Sequence, residues 1–227
     1  MNSVALWAIV AIAPLVVLTL TSFVKLSIVL SLLRNAIGAP DAPSGLVVTG
    51  VALVLTFFVM SPVAIDMVHA AATPAVVAPG GAGEAAPAPG SVDEAVRQLV
   101  PAQYKPDVDA ADRALVPLRV WLGKHSASAD KDTFVGLAKR LGKDVKGDEL
   151  WVLAPAFIAS ELREAFAIAV LLFLPFLVID LVVALGLASL GLQSTSPQSL
   201  ALPFKLLLFV AVDGWRLLLE SLLRGYA

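Results

Sequence analysis

The chain alternates long apolar stretches with short polar interruptions. Four stretches stand out: Val4 to Leu33 with only Lys25 inside, Leu46 to Val68 with Asp66 near its end, Ala165 to Leu192 with Asp180, and Leu200 to Leu223. A bilayer core is about 30 Å thick and a helix rises about 1.5 Å per residue, so window hydropathy reads all four as membrane-crossing helices. The connections NAIGAPDAPSG and LQSTSPQS are rich in Gly, Pro, Asp and Ser, which mark tight turns. They predict two helical hairpins with both chain ends on one side.

Between the hairpins the pattern changes. Ala71 to Gly90 is an Ala/Pro/Gly tract that cannot bury a core and reads as a linker. Ser91 followed by Glu94 is a capping-box start, and Leu115, Leu118, Trp121 and Leu122 recur at helical spacing. So do Phe134, Leu137, Ala138 and Leu141, with Gly142 placed to end that helix. These stripes are most simply the module's own packing face. The expected fold is all-α, divided as residues 1–70, 71–90, 91–150 and 151–227: hairpin, linker, small water-facing helical module, hairpin. MNSVALWAIV lacks a charged n-region and its apolar run is far too long for a signal peptide, so it reads as mature sequence.

Composition narrows the function. With 59% hydrophobic and 15% charged residues, the 227-residue chain is far more apolar than soluble domains, where about a quarter of residues are charged. A net charge of −2 offers no nucleic-acid footprint. No cysteine is present, which excludes thiolate metal sites and a cysteine nucleophile, and only His69 and His125 are available for acid–base work. His69 has no ligand-spaced neighbour and reads as interfacial. GLAKRLGKD, from Gly136 to Asp144, has five residues between its glycines where a phosphate loop needs four, and Asp144 stands where Ser or Thr should be. The expectation is a non-enzyme with no cofactor and no metal.

The remaining chemistry lies in isolated polar groups within apolar stretches. Asp180 is expensive in hydrocarbon, so it is either a functional group or half of a buried pair, with Lys25 and Lys205 the candidate partners. Pro175 removes a helical N–H and crowds the carbonyl of Leu171, which predicts a bend or outside hydrogen bonds. Ala184 and Ala188 permit close helix approach. Treated as one helix, the last stretch gathers Lys205, Asp213, Arg216, Glu220 and Arg224 into an arc of about 100°. Asp213 with Arg216, and Glu220 with Arg224, are spaced to pair. The stripe serves either such pairs with snorkelling ends or contacts to another subunit or a channel. Lys25 and Arg34 complete the set of buried-polar or inter-subunit candidates. A secondary transporter using Asp180 as a proton or cation site is the rival reading, although the two hairpins show no obvious repeat.

Five motifs, in order, carry a resemblance: TSFVKLSIVLSLLRNAIG (Thr21 to Gly38), FFVMSPV (Phe57 to Val63), PAFIASELREAF (Pro155 to Phe166), PFLVIDLV (Pro175 to Val182) and LPFKLLLFVAVDGW (Leu202 to Trp215). Together they resemble the SctR/FliP family of the type III secretion export gate, in injectisomes and flagella. The resemblance implies a homopentamer working with SctS-, SctT-, SctU- and SctV-type subunits and passing unfolded secreted polypeptides across the bacterial inner membrane. It also implies that the hairpins pack into an assembly standing largely at or above the periplasmic side, with an exoplasmic central module. The Lys and Arg count mildly favours a cytoplasmic one, but it turns on one or two residues, so the family placement is followed. Lack of a leader extension resembles the injectisome branch more than the flagellar one.

One departure bears on gating. Many relatives carry consecutive methionines where this chain has Leu192, Gln193 and Ser194 after Ser189-Leu190-Gly191. Methionine suits a pliable ring because its unbranched thioether repacks easily. Leu192, Gln193 and Ser194 are therefore the expected pore or gate residues, with a wetter constriction than usual.

Overall fold

The computed structural model describes residues 18–39, 44–72, 105–143, 145–192 and 194–226. The fold is all-α: among the described residues there are seven helices and no strand. They are α1 (Phe23–Ile37), α2 (Gly45–Ala72), α3 (Lys105–His125), α4 (Ser128–Arg140), α5 (Leu150–Ser189), α6 (Pro197–Ala211) and α7 (Gly214–Arg224). The capping box at Ser91 and most of the expected linker lie outside the described residues.

The chain forms two compact units, Met1–Val59 with Glu161–Ala227, and Met60–Ser160. In the first, the core is built from Leu26, Val29, Leu30 and Leu33 of α1, Val48 and Ala52 of α2, Ala165 and Phe176 of α5, Phe209 of α6, and Leu218 and Leu222 of α7. Spacings of three and four place each helix's contributors on one face. In the second unit, Trp121 and Leu122 of α3 are buried, and the Trp121 ring packs 5.0 Å from that of Phe157. Ala138, Val145 and Val152 form a separate, smaller cluster, with Phe134 and Val135 packed against it.

Helix ends follow local chemistry. Gly142 (φ +75°) stops α4 as expected: Lys143 N–H donates to the Ala138 carbonyl and Gly142 N–H to that of Lys139. The same pattern ends α5, where Gly191 (φ +71°) donates to Ala188 and Leu192 to Leu187. These paired bonds satisfy carbonyls that a helix C-terminus leaves open, and the left-handed residue suits glycine. At the start of α5, the Glu149 carboxylate accepts from the N–H groups of Lys146 and Gly147, both at 2.9 Å. Burial works to raise its pKa, but the backbone N–H groups of Lys146, Glu149 and Gly147 and the Lys146 charge hold it below the usual value.

Two of the four expected spans are broken. The first apolar stretch turns at Leu20 to Ser22, where the Thr21 hydroxyl donates to the Leu18 carbonyl and accepts from Phe23 N–H. The last stretch breaks at Val212 and Asp213, the latter left-handed at φ 52°. Asp tolerates that region better than most side chains, and Asp-Gly is turn chemistry. The two flanking helices that result, α1 and α6, have 15 residues each, about 22 Å and too short to cross a bilayer core. Only α2 and α5, with 28 and 40 residues, have the length and apolarity to cross a membrane among the described residues. The α5 helix continues through Pro175.

Candidate functional site

The polar groups predicted within apolar stretches gather at two ionic centres in the first unit. At one, Lys205 donates to Asp180 at 2.7 Å and to the Ala36 carbonyl at 3.1 Å. Asp180 lies nine residues before the end of α5 and Lys205 eight residues after the start of α6, so nearly equal arms of a hairpin bring them level. The Ala36 carbonyl belongs to the last turn of α1, which has no intrahelical donor and carries the negative end of the helix dipole. One buried ammonium thus joins α1, α5 and α6. The second Asp180 carboxylate oxygen is buried without a hydrogen-bond partner.

At the other centre Lys25 of α1, 1% exposed, contacts Glu161 at 3.3 Å and Glu164 at 2.8 Å on α5. Glu161 is also 1% exposed, and the Tyr226 hydroxyl donates to it. The Lys25 ammonium sits 4.0 Å over the Tyr226 ring. Burial, and then the Glu161 charge, push the Tyr226 phenol upward from its ordinary pKa, so it stays a neutral donor. Of the two partners considered for Asp180, the structure selects Lys205 and gives Lys25 to the glutamates. Glu161, Glu164 and Tyr226 were absent from the expected set. The signal was the three-residue spacing of Glu161 and Glu164, which sets both on one helix face inside SELRE.

The single polar stripe of the last stretch does not form. The break at Asp213 leaves Lys205 buried in α6, while Asp213, Arg216 and Glu220 are exposed. Arg216 pairs with Glu220 at 2.9 Å rather than in the two pairs expected from a continuous helix. That hydrogen bond, with the Glu220 and Asp213 charges, raises the Arg216 pKa. Arg34 borders a mostly apolar recess of about 210 Å³ with Leu30, Leu33, Ile37, Val47, Val51 and Trp215. Leu192 and Ser194 are exposed, and Gln193 lies outside the described residues.

Around these centres the apolar surface is open. Only 11% of the most apolar window of α5 and 22% of that of α2 is buried. Phe57, Phe58, Leu171, Leu177, Val182 and Leu185 are each more than half exposed. No group of three or more His, Asp or Glu able to hold a metal occurs among the described residues.

Two long apolar helices with open faces, beside lysines paired in the interior, fit a helical membrane protein. The sequence comparisons supply the family: residues 6–222 match the FliP family model, and the chain belongs to that family. It is 37% identical over 222 residues to the hypersensitivity response secretion protein HrcR of Ralstonia nicotianae, covering 96% of this chain and 93% of that protein. The flagellar biosynthetic protein FliP of Pectobacterium carotovorum is 41% identical over 94% of this chain and 73% of its own length. The Yop proteins translocation protein R of Yersinia pestis is 34% identical, over 99% and 95% respectively. These names belong to secretion and flagellar-assembly proteins rather than enzymes.

Proposed function

We propose that this chain is a component of a bacterial type III secretion or flagellar export apparatus, and within it a core subunit of the export gate. In this reading it is a non-enzymatic homopentamer that joins SctS-, SctT-, SctU- and SctV-type subunits into a pore for unfolded secreted polypeptides. It stands in the inner membrane and projects to the periplasmic side, with the central helical module exoplasmic. The observation that carries the reading beyond family membership is the uncovered apolar surface of α2 and α5, too large for water and suited to neighbouring helices or lipid. Leu192, Gln193 and Ser194 line the gate. Lys25, Arg34, Asp180, Lys205, Asp213, Arg216 and Glu220 set helix positions or meet neighbouring subunits. Since Asp180 is held by Lys205, a structural pair accounts for its charge without a transported ion.

Purification with co-expressed neighbouring membrane subunits, followed by imaging, tests the assembly. A closed pentameric cone is expected; a monomeric bundle spanning the detergent belt overturns the reading. Asp180→Ala should lower ring yield more than expression, because it strips the Lys205 ammonium of its charged partner, a loss of about 1.5–3 kcal/mol. An unchanged ring on a native gel would count against that role.

A further inference from the structure

The Lys25 ammonium is covered on one side by the two residues that follow α7. Glu164, which shares that ammonium with Glu161, has a side chain 52% exposed, so solvent stands within one carboxylate of a lysine that is itself 1% exposed. Gly225 and Tyr226 close the gap. A Cβ on Gly225 would fall 3.1 Å from the Lys25 Nζ, and the Tyr226 ring lies 4.0 Å from the same atom.

The tyrosine meets both charges of the buried pair. Of the three donors an ammonium carries, two serve Glu161 Oε1 and Glu164 Oε2, while the aromatic face covers the charge from another direction. The Tyr226 hydroxyl donates to the other Glu161 oxygen, Oε2, so each oxygen of that buried carboxylate has a donor. Withdrawing the hydroxyl leaves a buried charged acceptor short of one. The backbone of the segment nevertheless stays with α7, since Tyr226 N–H donates to the Leu223 carbonyl at 3.0 Å. The link to α1 and α5 is made by a side chain with two rotatable bonds. Gly225 is exposed and Tyr226 partly so, which gives the ring an outward route. Rotation of one side chain therefore opens the centre without unwinding a helix.

We propose that Gly225 and Tyr226 form a latch over the Lys25 centre. Closed, as here, it shields the ammonium and completes the Glu161 hydrogen bonds; open, it admits water to both and loosens α1 from α5. The latch does not depend on the pentamer or the pore.

The test is amine labelling of the full chain purified in detergent, read lysine by lysine by mass spectrometry, with exposed Lys139 and buried Lys205 as references. In the unaltered chain Lys25 should label as slowly as Lys205; labelling as fast as Lys139 overturns the proposal. Tyr226→Ala should speed Lys25 labelling about tenfold or more, the scale of one lost hydrogen bond to a charged group, and leave Lys205 slow. Added p-cresol, which is the tyrosine side chain as a free molecule, should restore protection in that variant, and toluene, which lacks the hydroxyl, should restore less. Unchanged Lys25 labelling in Tyr226→Ala, an equal rise at Lys205, or p-cresol no better than toluene overturns the proposal. Should Tyr226→Ala fail to fold, Tyr226→Phe keeps the ring and loses only the hydroxyl. Lys25 labelling should then rise several-fold, and no rise overturns the latch.

Discussion

In the first unit two lysine side chains lie at 1% and 5% exposure, while Phe166, Leu171, Leu177 and Leu181 of α5 stand open. In the second, Trp121, Leu122 and Phe157 are enclosed, and the surface of α4 carries exposed Asp132, Lys139 and Arg140. The second unit follows water's order in part: an aromatic and aliphatic core is closed and charge covers much of α4, although Asp112 and Asp130 are buried and Val120 and Leu141 stand open. The first reverses that order over much of its surface. Its apolar exterior therefore belongs against lipid or other protein, and its interior is positioned by ion pairs as well as packing. A charge removed from a buried pair in such an interior leaves its partner stranded, whereas in the second unit lost apolar volume is the larger cost.

Substitutions can break this contrast. The largest effect is expected for Lys25→Ala, which strands the buried Glu161 carboxylate and should destabilise the first unit by about 3–5 kcal/mol. The double change Lys25→Met with Glu161→Leu removes both charges and should recover most of that loss; denaturation in detergent measures both. If the single change costs no more than an exposed-lysine control, ion pairing does not position this unit. Leu122→Ala comes next, with a cavity cost of about 2–5 kcal/mol in the second unit. Its effect should appear in the Trp121 fluorescence transition.

Acid sharpens the comparison at lower amplitude. The folded pKa of Glu149 lies below its unfolded value, so its contribution is fully present above the unfolded carboxylate range and is lost as pH falls through the folded value. Glu149→Gln should flatten that part of the stability profile, and an unchanged profile would remove the Lys146–Gly147 turn from the account. Smallest of all is Arg216→Ala: its exposed pair with Glu220 is solvent-screened, and the unfolding midpoint should stay within error. A clear loss in the isolated chain would mean that α7 relies on surface charge.

The all-α class, the two long apolar helices and the end of α4 at Gly142 were legible from periodicity and turn residues. Five motifs in order carried the family. The Asp180 partner was legible only as a choice of two lysines, because sequence spacing alone does not say which arm of a hairpin lies level with Asp180. Glu161 was passed over because SELRE reads as a charged patch bordering an apolar run, and its burial depends on α1 lying against it. Tyr226 reaches Glu161 across 65 positions, a separation no local pattern encodes. The break at Asp213 was hidden because leucines continue at helical spacing on both sides, and Asp213 was weighed as a stripe position rather than, with Gly214, as a turn.

That break ties two positions of the chain together in heredity. A Cβ on Gly214 would be driven into the Phe209 ring, and that ring is held in place, 6% exposed and 5.4 Å from Trp215. Every missense change at codon 214 adds at least a methyl group there, so none is neutral while residue 209 remains aromatic. A lineage could lose the glycine only after, or together with, a smaller residue at 209. Sequences that diverge elsewhere along this segment should therefore change these two sites jointly or leave both alone.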